Sequence, residues 1–457
     1  GQLIDADTDE HIWAETYDKK ESDIFELQSD VAIEIANALK TELTDEVKAR
    51  ISEKLTESTI AYEYYLKGNM YESAGHSKAN LLAAISEYER AVSIDPKFAE
   101  AHAELGRMHV QLKWYRHDLS KDRMEMSKKS IDRAMDLKPS NSIVRVARGK
   151  YFYHGFRDYG KALADFTLAR ELAPGNIGAI YNIGLIYRRL GDFEKSISNI
   201  EEATRLDPRS ALMLQNLAGS YAATRQYDQV KSIVKRTDDL GSIMTKINYG
   251  IRSDYLASGD ALKAKRTLYQ IKGENLERQK LYYNFILKDY DEINRILDIT
   301  TKEFFTNVQA YIPKSYYQGL VSIGLGAKND SKIYFNNTIS HLKNKINEYP
   351  DDPRFYSTLG LTYARLGNKK DAIEAGLKAV DILPVSDDAM FGTIYEKSLA
   401  EIYSITGENN KALEKIEYLS LIPNGFHYGE LLSNPDFDSI RNEPRFQRVL
   451  NNLKPKS

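Results

Sequence analysis

Residues 177–208 read IGAIYNIGLIYRRLGDFEKSISNIEEATRLDP, and the spacing inside this stretch decides the fold. Ile180, Ile183, Gly184 and Tyr187 follow an i, i+3, i+4, i+7 rhythm, which lays one apolar stripe along a first helix. Gly191-Asp192 interrupts it, because glycine adopts the left-handed conformation that ends a helix at low cost and an aspartate caps the next one. Phe193, Ile197, Ile200 and Ala203 then form the stripe of a second helix, which stops at Asp207-Pro208. A single helical hairpin cannot bury its own apolar face, so copies must stack and share a core.

Pro174 and Pro208 stand thirty-four residues apart, and the pattern recurs with Tyr356, Leu359, Gly360, Tyr363, Ala372, Ala379 and Pro384. These residues resemble the tetratricopeptide repeat, in which a large residue, Leu-Gly and Tyr are followed by Ala, an aromatic, Ala and Pro. Gly376 stands where the aromatic would be in the second copy. Gly184 and Gly360 fall where helix axes about 8–10 Å apart leave room only for a small side chain.

Weaker copies continue the array. Gly68, Tyr71, Ala84, Tyr88, Ala91 and Pro96 form one with four extra residues between the helices, and Gly149, Phe152, Ala162, Phe166, Ala169 and Pro174 form another with one extra. A longer loop around 114–121 interrupts the copy over 99–139; Leu217, Ala218, Tyr221, Val230 and Val234, then Tyr255, Ala264 and Leu268, keep the rhythm. Residues 273–329 match least and are expected to be a hinge of low contact density. Tyr395, Leu399, Tyr403, Ala412 and Ile416 give a last copy. The expectation is an all-α superhelical solenoid of about ten hairpins over residues 61–425, with a capping tail at 426–457 that uses Phe437, Ile440, Phe446 and Leu450.

The composition of the 457 residues agrees: 31 tyrosines against 2 tryptophans reflect the tyrosine positions of the repeat, and a quasi-one-dimensional stack has no upper limit of core size. A net charge of −3 without a dominant basic stripe argues against nucleic acid as the main partner. No apolar run approaches the roughly 18 residues that a membrane span needs. The absence of cysteine excludes thiol catalysis, thiolate zinc and disulfides; cytoplasmic and periplasmic placement both stay open.

The first sixty residues are of another kind. Residues 2–5 and 11–16 read as a β-hairpin across a polar turn, and residues 22–43 as a helix with Ser22 or Asp23 as its cap. The run QLIDADT at 2–8, then HIWAE at 11–15, Tyr17-Asp18 and IFELQ at 24–28, resembles the end of the bacterial TolB-amino-terminal-like domain over residues 1–55. Relatives of that family precede tetratricopeptide arrays and carry adenylate cyclase, winged-helix or kinase domains upstream. The segment NPDFDSIRNEPRF at 434–446 is similar to the tail that ends the same architecture. The resemblance implies the carboxy-terminal half of such a regulator, with any cyclase or kinase activity lying outside this sequence.

No residue pattern points to catalysis or to a cofactor. Asp5, Asp7 and Asp9 mimic a calcium loop, but Glu10 and Thr16 occupy positions where glycine and glutamate are required. His102 and His109 lack zincin spacing, and Gly324 and Gly326 form no phosphate loop. Function is therefore expected from the concave wall of first helices, which would bind a protein or peptide. In relatives that grip a terminal carboxylate, lysine and asparagine of successive first helices converge on the anion. Asn182 and Asn216 sit at the corresponding sixth positions, Lys150 and Lys246 could add charge, and Tyr153, Tyr181, Arg188 and Tyr249 could hold an apolar ligand residue. Leu185 and Gly219 replace the asparagine of a complete clamp. Packing between adjacent helices is the plain alternative for all eight. A small-metabolite or glycan pocket and a homo-oligomer also stay open.

Overall fold

The computed structural model describes residues 1–5, 8–17, 24–39, 43–272 and 276–455, with only the backbone described for 24–26, 46 and 50. Among the described residues the chain is all-α apart from two small β-hairpins, and it divides into two compact units, residues 1–172 and 173–457. Among the described residues the first unit holds three helical hairpins and the second holds seven, in agreement with the solenoid read from the sequence.

In the first unit the strands Gln2–Ile4 and His11–Ala14 pair antiparallel as the alternation indicates, and a helix spans Ile24–Ala38. The candidate caps Ser22 and Asp23 lie outside the described residues, as does Asp7. The hairpins are Thr59–Ser73 with Lys78–Ile94, Ala99–Trp114 with Lys121–Leu137, and Ser142–Phe156 with Tyr159–Leu172. Ser58, Ser77 and Asn141 cap their helices with side-chain oxygens, satisfying amides that have no intrahelical partner.

The glycines show what sets the repeat. A Cβ placed on Gly68 would lie 2.4 Å from Tyr88, one on Gly149 2.5 Å from Phe166, one on Gly184 2.7 Å from Ile200, and one on Gly319 2.5 Å from Phe335. Each of these four hairpins thus closes by pressing a large side chain of its second helix onto a bare backbone of its first. The inserted residues at 68–88 and 149–166 lengthen the turn and leave that contact intact.

The second unit begins with Ile177–Arg189 and Phe193–Leu206, then Ala211–Ala223 and Tyr227–Asp239. The next first helix, over 243–258, contains a π-helical turn at Lys246–Ile251 and pairs with Ala261–Gln270. Where a hinge of low contact density was expected over 273–329, the described residues 276–329 contribute a buried cluster that includes Leu281, Ile293, Phe305 and Leu320. Helices Glu277–Ile286 and Tyr290–Ile299 form a short hairpin, and strands Phe304–Thr306 and Tyr311–Pro313 follow. Phe305 is 2% exposed, Thr358 Oγ1 donates to Tyr311 O at 2.9 Å, and Arg354 reaches Asn307 O at 2.7 Å. A β-hairpin therefore supplies the burial that repeat residues supply elsewhere.

Helices Lys314–Gly324 with Lys328–Glu348, Pro353–Arg365 with Lys369–Ile382, and Gly392–Ile405 with Asn409–Leu421 complete the array. Phe426, Phe437, Ile440, Phe446 and Leu450 share one core with Leu399, Ala412 and Ile416, so the tail covers the last hairpin. The second unit also folds back on itself. Arg189 and Asp388 pair at 3.4 Å while Arg189 stacks on the Phe391 ring, 3.9 Å from its centroid. Arg225 donates to the carbonyls of Ser420, Ile422 and Phe426, and Tyr227 bonds His427 at 2.7 Å.

Candidate functional site

Each unit holds one cluster of charged side chains. In the first, Glu72 of Thr59–Ser73, Glu104 and Arg107 of Ala99–Trp114, and Lys150 of Ser142–Phe156 come from three successive first helices. Arg107 is locked: its Nη1 donates to Glu72 at 2.8 Å and its Nε to Glu104 at 2.5 Å. The Arg107 charge holds the Glu72 carboxyl well below the usual carboxylate range. Lys150 stands near the same carboxylates but makes no hydrogen bond or ion pair among the described residues, and burial, helped by Arg107, pulls its ammonium down to about 8. Gln111, two turns along from Glu104, is 2% exposed and its Oε1 has no hydrogen-bond donor among the described residues. His109 bonds Arg123, and burial lowers it to about 4.

Tyr153, expected in the same wall, is 1% exposed and packs on Trp114 and Tyr159, with ring centroids 5.1 and 5.7 Å away. It belongs to the hairpin core. His102 bonds the Pro96 carbonyl at 3.2 Å, and among the described residues no group of three or more His, Asp or Glu side chains could hold a metal.

The remaining six candidates lie in the second unit. Asn182 is buried and donates to Gly178 O at 2.6 Å. Arg188 reaches both the carbonyl of Asn216, at 3.2 Å, and its side-chain oxygen, at 2.9 Å. These groups are engaged between and along helices, so a ligand would have to displace bonds already made. Tyr181 is buried. Lys246 pairs loosely with Asp238 at 3.6 Å and is half exposed, while the Tyr249 ring covers Gly219, whose added Cβ would lie 2.9 Å from the Tyr249 hydroxyl.

The groups that the sequence reading missed lie one turn beyond. Arg252 follows Tyr249 at i+3, directly after the π-helical turn, and Arg278 and Tyr282 share a helix face at i, i+4. Lys397 donates to both oxygens of Glu430, at 2.9 and 3.2 Å, and Arg252 Nη2 lies 3.9 Å from Glu430. Although burial alone would raise it, Lys397, His427 and Arg252 hold Glu430 at about 2. Burial drives His427 down to about 3 and pushes Glu401 up to about 8, with Asp436 adding to the latter. A local signal existed in the tyrosine-arginine spacing, but Lys397 and Glu430 join it only through the fold.

Known proteins share parts of this architecture. A putative adenylate cyclase of Rhizobium meliloti is 33% identical over 104 residues, 23% of this chain and 18% of that protein. The CTR9 homolog of Arabidopsis thaliana is 23% identical over 392 residues, 81% of this chain and 32% of that protein. This chain thus spans about a fifth to a third of the curated relatives it matches. A thermophilic TPR protein of Thermus thermophilus aligns with 42% of this chain and 97% of its own, at 16% identity and a TM-score of 0.35. Among the described residues no helix is long and apolar enough to cross a membrane. The tetratricopeptide repeat family matches at residues 177–210 and 353–384, and the chain is an all-α array of such helical hairpins.

Proposed function

We propose that this chain is a noncatalytic protein-binding scaffold, the sensing or assembly region of a bacterial signalling protein, and that the inner wall of its first unit receives a peptide. The single observation that carries the reading is Lys150, a cation without a hydrogen-bonded partner among the described residues, on a wall whose other charges are matched. A peptide carboxylate would pair with it and restore the interaction that burial removes. Gln111 offers an unfilled acceptor on the helix beside it. The signalling context is supported by the motif order of residues 1–55 and by the partial likeness to the Rhizobium protein.

The test is a library of immobilised peptides with free carboxyl ends probed with the full chain. Selected peptides should lose at least tenfold in affinity to Lys150→Ala and little to Lys246→Ala. Because binding raises the Lys150 pKa again, affinity should fall as pH rises above about 8. Equal binding by Lys150→Ala, or equal binding of amidated peptides, removes the assignment.

A further inference from the structure

Several hairpins share a pairing that the hairpin over 353–382 reverses. In three of them a lysine near the start of the second helix lies over the aromatic ring eight or nine residues before it. Lys161 Nζ is 5.4 Å from the Phe152 centroid, Lys195 Nζ 5.1 Å from that of Tyr187, and Lys411 Nζ 5.7 Å from that of Tyr403. Each lysine also pairs with an acid three residues earlier, Asp158, Asp192 or Glu408, at 2.8, 2.7 and 3.1 Å. Ring, ammonium and carboxylate are thus satisfied within one hairpin.

In Pro353–Arg365 with Lys369–Ile382 the ring is Tyr363, but Asp371 stands at the lysine position and Asn368 at the acid position. A groove of about 460 Å³ opens at this place, within the range of ligand sites. Buried Leu359 and Ala375 give it an apolar floor, half-buried Tyr356 and Tyr363 line it from the first helix, and exposed Asp371 and Glu374 from the second. Among the described residues the Asp371 and Glu374 side chains form no hydrogen bond or ion pair, and no cation lies over the Tyr363 ring. Neighbouring ammonium groups are engaged elsewhere, Lys369 with Glu408 and Lys378 with Asp381 at 3.1 Å.

We infer that this groove binds a lysine side chain of a partner protein, its methylene stem against the Tyr363 ring and its ammonium between Asp371 and Glu374. The occupant follows from what the sister hairpins place on the same ring and from the charge of the rim. A lysine stem covers apolar surface while its head stays at the polar edge, and two carboxylates give that head charge-assisted bonds. Tyr356 stands two turns from Tyr363, about 10 Å along the helix, so a basic segment rather than a single residue fills the length. The groove takes a cation, the reverse of the carboxylate proposed for Lys150, and stands or falls separately from it.

The test is fluorescence anisotropy of a labelled, amidated pentalysine titrated with the full chain at about 0.15 M salt, where attraction between distant charges is screened. The peptide should bind saturably, and its counterpart with acetylated lysines at least tenfold more weakly. Asp371→Lys, which gives the ring a cation of its own as in the sister hairpins, should weaken binding tenfold or more. Tyr363→Leu, which removes the ring and keeps an apolar side chain, is the second variant and should lose at least threefold. Asp239→Lys makes the same charge change at an exposed helix end outside the groove and should bind as the parent does. Absence of saturable binding, equal binding by Asp371→Lys, or an equal loss in Asp239→Lys overturns the groove. Undiminished binding by Tyr363→Leu overturns the role of the ring, and undiminished binding of the acetylated peptide overturns the ammonium assignment.

Discussion

The polar clusters of the two units treat an arginine in opposite ways. In the first, Arg107 lies between Glu72 and Glu104 at hydrogen-bond distance, and the acid is held below its normal range. In the second, Arg278 has no partner among the described residues and Glu401 is pushed up to about 8. A charge completed by its own fold stabilises the fold. One left incomplete there costs stability and is kept where something else completes it.

The largest effect should come from removing the matched cation. Arg107→Ala strands two carboxylates in a buried wall and should destabilise by about 3–5 kcal/mol, whereas Arg278→Ala breaks no bond and should fall within about 0.5 kcal/mol of the parent. Urea unfolding of both variants measures the difference. Comparable losses would show that Arg278 has a structural role and that the contrast between the clusters is false.

The second comparison concerns close approach. Gly429 packs its backbone against the helix Arg252–Ser258, where an added Cβ would lie 1.9 Å from the Tyr255 carbonyl oxygen; at Gly175 nothing lies within 4 Å. Gly429→Ala should therefore lift the tail from the second unit and cost about 1–3 kcal/mol or more, with Gly175→Ala near neutral. Hydrogen exchange over 426–441 reads the outcome, and unchanged protection in Gly429→Ala would mean that the tail is not held by this contact.

What the sequence could reveal follows from where the information sits. The hairpin is a local object, so Gly184 and Ile200, Gly360 and Gly376, or the cap at Asp192 are visible in a single period. The β-hairpin at 304–313 was missed because its strands are three residues each, too short to show alternation. The return of the second unit onto itself was invisible for another reason. Its contacts join residues 199, 200 and 201 positions apart, as in Arg189 with Asp388, Tyr227 with His427 and Arg225 with Phe426. No period links such pairs. Of the proposed site residues, Lys150 was legible because it stands at a repeat position, and Asn182 and Arg188 were legible as positions but not as groups already bonded within the fold.

The smallest predicted effect separates the two clusters by their response to pH. The folded-state pKa of Glu72 is depressed, so its contribution is present above the unfolded value near 4.5 and is lost as pH falls. Glu401 is raised to about 8, so the folded state binds its proton more tightly than the unfolded chain; stability is full below about 4.5 and declines as pH climbs toward 8. His427, lowered to about 3, changes stability only between its unfolded value near 6.5 and that limit, and Lys150 acts only above about 8. Of these four groups Glu401 alone acts in the window from 6.5 to 8. Each pH unit there is worth at most about 1.4 kcal/mol, and because Glu401 keeps some contact with water the realised loss should be about 1 kcal/mol across the window. Glu401→Gln retains an oxygen for Asn434 and removes the titration, so its stability should be flat between pH 6.5 and 8 where the parent's falls. A parent that is equally flat would mean that the interior is wet enough to leave Glu401 ionised at no cost. The surplus of positive charge there would then be smaller by that one carboxylate.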